Sequence, residues 1–307
     1  MDSLQEQLED EVVSEAKPQG FVLTDGDVAI LRLIHEHRLL RREQISALCG
    51  RHQKRLHRRI SKLAKRRYIS TIRLPQQKHI YGMGRAAIPV LTEHALCHPE
   101  LLKQRRRTHE LKELFLKHEM MIVDLHVAFS LASRNGGVAL VSWSEGSELY
   151  DSVVAVDSKG SNRLPIRPDA FFSFKDSQRG EGANRMHFAL EADRSTTTQP
   201  RFADKIRAYW HYIERGLHTR KFRVKGFRIL TVTLTDNRAK NLCALSASVV
   251  PEQARKYFLF APLQRITTGN SSSLRDPTCY SARATATAEL CPLIPTLNGL
   301  QKEPVVI

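Results

Sequence analysis

Apolar residues never run to the stretch of about 18 that a membrane-spanning helix needs. The opening residues, MDSLQEQLEDEVVSEAK, lack an apolar core, so no secretory leader is expected. Cysteine is sparse and scattered, at Cys49, Cys97, Cys243, Cys279 and Cys291, with no CxxC pair. That excludes a disulfide framework and fits a reducing, cytoplasmic setting. Acid is also in deficit: 32 Asp and Glu stand against 48 Lys and Arg, a net charge of +16. The imbalance argues against an acidic protein partner or a plain metabolic enzyme. It favours a polyanion, of which nucleic acid is the commonest. What is present in quantity is core material. With 307 residues and 41% hydrophobic content, the chain can bury a sizeable core and is long enough for two domains.

Charge is unevenly distributed. Residues 1–20 hold six acids and one base, Lys17, and are expected to form an acidic, disordered tail. Residues 32–73 hold fourteen Lys or Arg against two acids, Glu36 and Glu43. Solvated helix faces mix signs, whereas a phosphate-facing surface is one-sided because each contact releases condensed counterions.

The same segment has a readable order. Thr24 caps a helix over Asp25–His37 with Val28, Leu31 and Ile34 at helical spacing. A second helix, Arg42–Leu48, stops at Gly50. A third carries Leu56, Ile60 and Leu63 at i, i+4 and i+7, with cations on its other faces. Two short strands, Tyr68–Leu74 and Lys78–Gly82, flank a turn at Pro75-Gln76-Gln77. Helix, helix, basic helix and hairpin is the order of a winged helix-turn-helix, predicted over residues 21–97; the alternative is a plain basic three-helix bundle. In the winged reading the third helix enters the major groove of double-stranded DNA. Arg51, Gln53, Lys54 and Arg58 are the candidates for groove contact, with Arg55, Arg59 and Lys62 on the same basic surface. Arg66, Arg67, Arg73 and Lys78 are candidates for phosphate contact.

Two motifs here are read as decoys. Gly82-Met83-Gly84-Arg85-Ala86-Ala87 fits a dinucleotide fingerprint, but the preceding strand is polar and no second strand follows. A turn into a helix over Ala86–Leu96 explains the glycines better. His94, Cys97 and His98 lack a fourth zinc ligand at suitable spacing and read as helix-end residues.

A charged linker helix is expected over 98–117. From His118 to about 265 the predicted order is α-β-β-β-α-β, with strands at Val138–Trp143, Pro168–Phe174, Met186–Glu191 and Phe227–Thr235. Helices are expected over about Arg201–Glu214 and Arg238–Ser246, with a last apolar run at Tyr257–Ala261. Residues 266–307 are expected to be mostly irregular. The fold class is thus α+β or α/β.

Acids cluster at strand positions in this half. Glu191 and Asp193 lie two apart and share a strand face. Asp169 joins them if its strand pairs with theirs. Carboxylates converging at a sheet edge need a cation, and an oxygen-rich set suits Mg²⁺ or Mn²⁺. Such an ion positions water and stabilises a cleaved phosphodiester. Lys205 on the following helix could stabilise developing negative charge, and Glu119 is a further candidate ligand. Each also has a structural alternative: Asp169 as a turn residue, Glu191 and Asp193 as helix caps or partners of Arg194 and Arg201, and Lys205 as a snorkelling surface residue. His118 reads as a satisfied core histidine.

Taken in order, these residues resemble the replication-relaxation family of plasmid and mobile-element proteins, over about Thr24 to Ala261. The resemblance rests on the winged-helix start and on His118-Glu119 followed by Ile122-Val123-Asp124-Leu125. It rests also on Arg167-Pro168-Asp169-Ala170 and on Leu190-Glu191-Ala192-Asp193-Arg194, with Lys205 and Tyr209 behind. It implies DNA binding in plasmid replication and in relaxation of supercoiled DNA, alongside other replication or mobilisation proteins. The second half also resembles the PD-(D/E)xK, or restriction-endonuclease-like, fold. Carried over, Pro168-Asp169 is the PD element and Glu191 the (D/E) position. The usual lysine two residues on is Asp193 here, so Lys205 would have to substitute from the helix for metal-dependent nicking. Without such a substitute the chain is a transcriptional regulator or mobilisation accessory factor with an inactive second half.

Overall fold

The computed structural model describes residues 21–73, 76–94, 113–134, 137–157, 160–267, 274–283 and 290–295. The first helix, α1 (Asp25–His37), begins at Thr24, whose backbone N–H and hydroxyl both donate to Asp27. Its Ile30, Leu31 and Ile34 are fully buried. A three-residue strand, β1 (Leu39–Arg41), leads into α2 (Arg42–Cys49). Gly50 ends α2 with φ +67°, a left-handed conformation that disfavours a side chain. Helix α3 (Gln53–Lys65) buries Leu56, Ile60 and Leu63, the stripe read from the sequence. Strands β2 (Ile69–Ile72) and β3 (Ile80–Met83) form an antiparallel hairpin, and β1 adds to it in the order β1-β3-β2. A short helix, α4 (Ala87–Glu93), follows.

Gly84, in the fingerprint-like run, has a packing role: a Cβ there would sit 2.1 Å from the Arg67 carbonyl oxygen. Close approach of two backbones accounts for this glycine without a nucleotide. His94 follows α4, while Cys97, His98 and most of the expected linker helix lie outside the described residues.

Helix α5 (Glu113–Ala132) joins the two halves. Its Leu116, Met120, Val123 and Val127 pack into the N-terminal core. Met121, Ile122, Leu125 and Phe129 pack into the second core. A helix apolar on several faces is one buried from several sides. An ion pair and hydrogen bonds reinforce the join: Arg41 reaches Asp124 of α5 at 2.6 Å, and Arg134 donates to the carbonyls of Ala47 and Leu48.

Beyond α5 the chain forms β4 (Val138–Ser144), the hairpin β5 (Asp151–Asp157) and β6 (Gly160–Ile166), then β7 (Ala170–Asp176) and β8 (Arg185–Asp193). Helices α6 (Gln199–Glu214) and α7 (Leu217–Phe222) precede β9 (Arg228–Thr233), α8 (Asp236–Val249), a 3₁₀ turn at Glu252–Tyr257 and β10 (Phe258–Pro262). A short α9 (Leu263–Thr267) and strands β11 (Pro277–Ser281) and β12 (Leu290–Pro292) complete the described fold. The main sheet has the order β12-β11-β10-β9-β8-β7-β4. β4, β7 and β8 are an antiparallel series; β8 and β9 are parallel, so they need the crossover that α6 supplies. α5, β4, β7, β8, α6 and β9 occur in the expected sequence, but the β5–β6 hairpin is inserted before β7 and α7 before β9.

Three features differ from the sequence reading. β1 is too short to show periodicity. The β5–β6 hairpin falls in a stretch read as connection; it is tied to α6 by Tyr212 donating to Asp151 at 2.7 Å. β11 and β12 lie in the segment expected to be irregular. Cys279, Leu293 and Ile294 nevertheless join the core there, so the sheet continues past residue 265.

Candidate functional site

The register of β7 and β8 builds the acid cluster. Ala170 pairs with Leu190, so Asp169 enters β7 beside Glu191. The Asp169 N–H donates to the Leu190 carbonyl at 2.9 Å, and the Ala192 N–H donates to Asp169 Oδ2 at 2.7 Å. Along β8, Phe188, Leu190 and Ala192 face the core beneath α5. Alternation sends Glu191 and Asp193 to the other face, towards α6 and α8.

Glu191 is only 3% exposed. Lys205 Nζ donates to its Oε2 at 2.5 Å, and the Tyr209 hydroxyl donates to its Oε1 at 2.5 Å. Lys205 and Tyr209 are four apart on α6 and so share one helix face. Burial pushes the Glu191 carboxyl pKa up, against the pull of Lys205. Burial alone would lower the Lys205 pKa, but the Glu191 carboxylate overrides it and raises it, which keeps the ammonium charged. Tyr209 is fully buried, and burial raises its pKa well above the ordinary phenol value. Its hydroxyl stays protonated and donates to Glu191.

Asp169 Oδ1 accepts from His118 Nε2 of α5 at 3.0 Å. His118 is thus a partner of the cluster, not the enclosed core residue expected; its side chain is 29% exposed. The Asp169 hydrogen bond raises the His118 pKa against the effect of burial. Asp193 shares the Glu191 face, as its spacing predicts, but Arg238 of α8 holds its Oδ2 at 2.8 Å. Glu119 pairs with Arg38 at 3.1 Å, and Arg38 also holds Glu145 at 2.9 Å. Among the described residues, the set of three whose ligand atoms all lie within 4.8 Å of one another is Glu36, His37 and His126, not the carboxylates. Both oxygens of Asp169 and of Glu191 thus hold partners, while Asp193 keeps one buried oxygen, Oδ1, without a hydrogen-bond partner among the described residues.

On α3 and the hairpin, Arg51, Gln53, Lys54, Arg55, Arg58, Lys62, Arg66, Arg67, Arg73 and Lys78 are exposed. Thr24, Gly50, Arg51, His52, Arg55 and Arg59 are among the residues lining a groove of 560 Å³ at the start of α3. Lys78 pairs with Glu43 at 3.3 Å, and Arg66 stacks on Phe21 at 4.2 Å. Arg59 differs from its neighbours. Its guanidinium turns inward to the fully buried Asp27 and to the Val22 carbonyl.

A family model described as replication-relaxation matches residues 31–225, more than half of the chain. The chain belongs to the replication-relaxation family. No curated protein and no solved structure matches it. Membership supports a role in the replication or relaxation of plasmid or mobile-element DNA. Among the described residues of this replication-relaxation protein, no helix is long and apolar enough to cross a membrane. The matched span covers α3, the His118–Asp169 pair and the Glu191–Lys205–Tyr209 group. The parts that sequence reasoning missed are the link from His118 to Asp169 and the inward turn of Arg59. Both depend on long-range contacts across 51 and 32 residues, which local spacing does not report.

Proposed function

We propose that this protein docks on double-stranded DNA through a winged helix and nicks it with a PD-(D/E)xK-like site in the second half. The observation that carries the reading is the contact of Lys205 Nζ with Glu191 at 2.5 Å. A helix lysine thereby stands in for the strand lysine that Asp193 replaces. Asp169 and Glu191 would hold Mg²⁺ or Mn²⁺, which when bound supplies an acidified water and charge neutralisation at the phosphate. Lys205 carries the fixed positive charge that stabilises the developing oxyanion. The buried Tyr209 hydroxyl orients Glu191. His118 keeps a proton on Nε2 and fixes the Asp169 carboxylate.

Supercoiled plasmid incubated with Mg²⁺ or Mn²⁺ should yield nicked circles, and none with chelator. Glu191→Gln should lower the nicking rate by about 10²-fold or more, the scale of losing one charge-stabilising group, while DNA binding stays intact. A mobility shift without strand breakage would overturn the nuclease reading. It would support a transcriptional regulator or mobilisation accessory factor, a reading favoured by the arginine already matched with Asp193.

Docking is tested separately. Replacing Lys54, Arg55 and Arg58 by Ala removes three exposed cations and touches none of the Leu56–Ile60–Leu63 stripe. The slope of log K against log salt should become shallower by about 2–3, at roughly 0.9 per phosphate contact. An unchanged slope in fluorescence anisotropy would place the DNA surface elsewhere.

A further inference from the structure

A second basic surface lies at the opposite end of β8 from the carboxylates. Residues 215–235 contain six Lys or Arg and no acid. The last of the six, Arg228, opens β9. Across β7 and β8, Lys175 and Arg185 are direct register partners, and both are exposed. Like charges directly opposite one another destabilise a sheet. Arg185 and Arg228 line a cavity of 270 Å³ with Lys256, which the 3₁₀ turn before β10 brings in. Among the described residues no carboxylate lines this cavity. Arg179 at its rim is matched with Asp176 at 3.0 Å; Arg185, Arg228 and Lys256 have no ion-pair partner among the described residues. Tyr257 adds an aromatic wall, and Lys256 sits 5.4 Å from its ring centroid.

Folding alone gives no reason to bring the unpaired Arg185, Arg228 and Lys256 to one cavity. Among the described residues, no lining acid offsets their mutual repulsion. A bound polyanion does relieve it, and the cations continue past the cavity to Lys175 beside Arg185, which suits a phosphodiester backbone better than a small anion. From Arg185 to Asp193 the strand rises about 26 Å at roughly 3.3 Å per residue. A phosphate held here is therefore not the one at the carboxylates. Along a duplex, one strand reaching both would span about eight nucleotides at 3.4 Å of helix axis each.

We propose that the cavity lined by Arg185, Arg228 and Lys256 is a second site for nucleic-acid backbone, separate from α3 and from the carboxylate cluster. The inference rests on the DNA-docking reading above. The test uses the full chain and a labelled 30-bp duplex, with Arg185, Arg228 and Lys256 changed together to Gln. Affinity at moderate salt should fall about 10²-fold or more, and the salt slope should drop by about 2–3. Removing mutual repulsion should leave the melting temperature unchanged or raised, the opposite of what loss of a structural contact would do. If the wild type binds DNA and the α3 variant weakens it, while the Gln variant keeps full affinity and slope, this site is overturned and α3 docking stands. If the wild type itself binds no duplex, the docking reading fails first. A lower melting temperature with unchanged binding assigns the three residues to structure and also overturns the site.

Discussion

Arg59→Ala should destabilise the protein by about 3 kcal/mol, whereas Arg55→Ala and Arg58→Ala should stay within about 0.5 kcal/mol of the parent. All three lie on the same basic helix, so composition treats them alike. Their surroundings do not. Asp27 is 0% exposed, and its carboxylate is held by Arg59 as well as by Thr24. Burial pushes the Asp27 pKa up, but the Arg59 and Thr24 hydrogen bonds prevail and bring it below the ordinary carboxylate value. Removing the guanidinium leaves an uncompensated buried charge at the start of α1. The magnitude is set at the low end for a buried pair because Arg59 keeps 26% exposure. Urea unfolding of the three single variants checks the order. Equal stabilities would mean that Asp27 is solvated or protonated without cost.

Acid should loosen the joint between the halves. His37, on the last turn of α1, is 1% exposed and packs on His126 of α5 with ring centroids 4.1 Å apart. His126 in turn stacks on Trp143 at 4.2 Å. Burial, helped by the Arg134 cation, lowers the His37 pKa to about 4. The unfolded chain takes up that proton near pH 6.5, so between pH 6.5 and 4 the unfolded state binds more protons than the folded one. The stability from neutral His37 is therefore complete above pH 6.5 and is lost as pH falls towards 4. A depression of about 2.5 units corresponds to about 3 kcal/mol. His37→Phe keeps a ring in the stack and removes the titration. Its urea midpoint should change less than that of the parent between pH 7 and 4.5. Parallel pH profiles for the two proteins would show that His37 is not the titrating group.

The parts legible from sequence were those with strong local signals. The bounds of α1 follow from Thr24 and the Leu31–Ile34 spacing, and the α3 stripe from Leu56, Ile60 and Leu63. The positions of Asp169, Glu191 and Lys205 along their elements were readable too, since strand alternation and one PD dipeptide fix them. Their partners were not. Nothing local distinguishes Asp193, matched with Arg238 from 45 residues away, from Glu191, which meets Lys205 and Tyr209. β11 and β12 were missed because Ser, Thr and Ala around them mask a short alternation. The burial of Cys279 and Tyr280 becomes apparent only once β10 is there to receive them.

Helix α5 gives one side of itself to each core, and that has a mechanical consequence. Among the described residues, the element that joins the two hydrophobic centres belongs to both, so neither centre can shift without carrying α5 along. In the proposed reading, DNA seated against α3 is presented to Asp169 and Glu191 at a set offset and angle. The molecule would measure along the duplex as a fixed caliper does, and the position of any nick would be counted from the groove that α3 occupies.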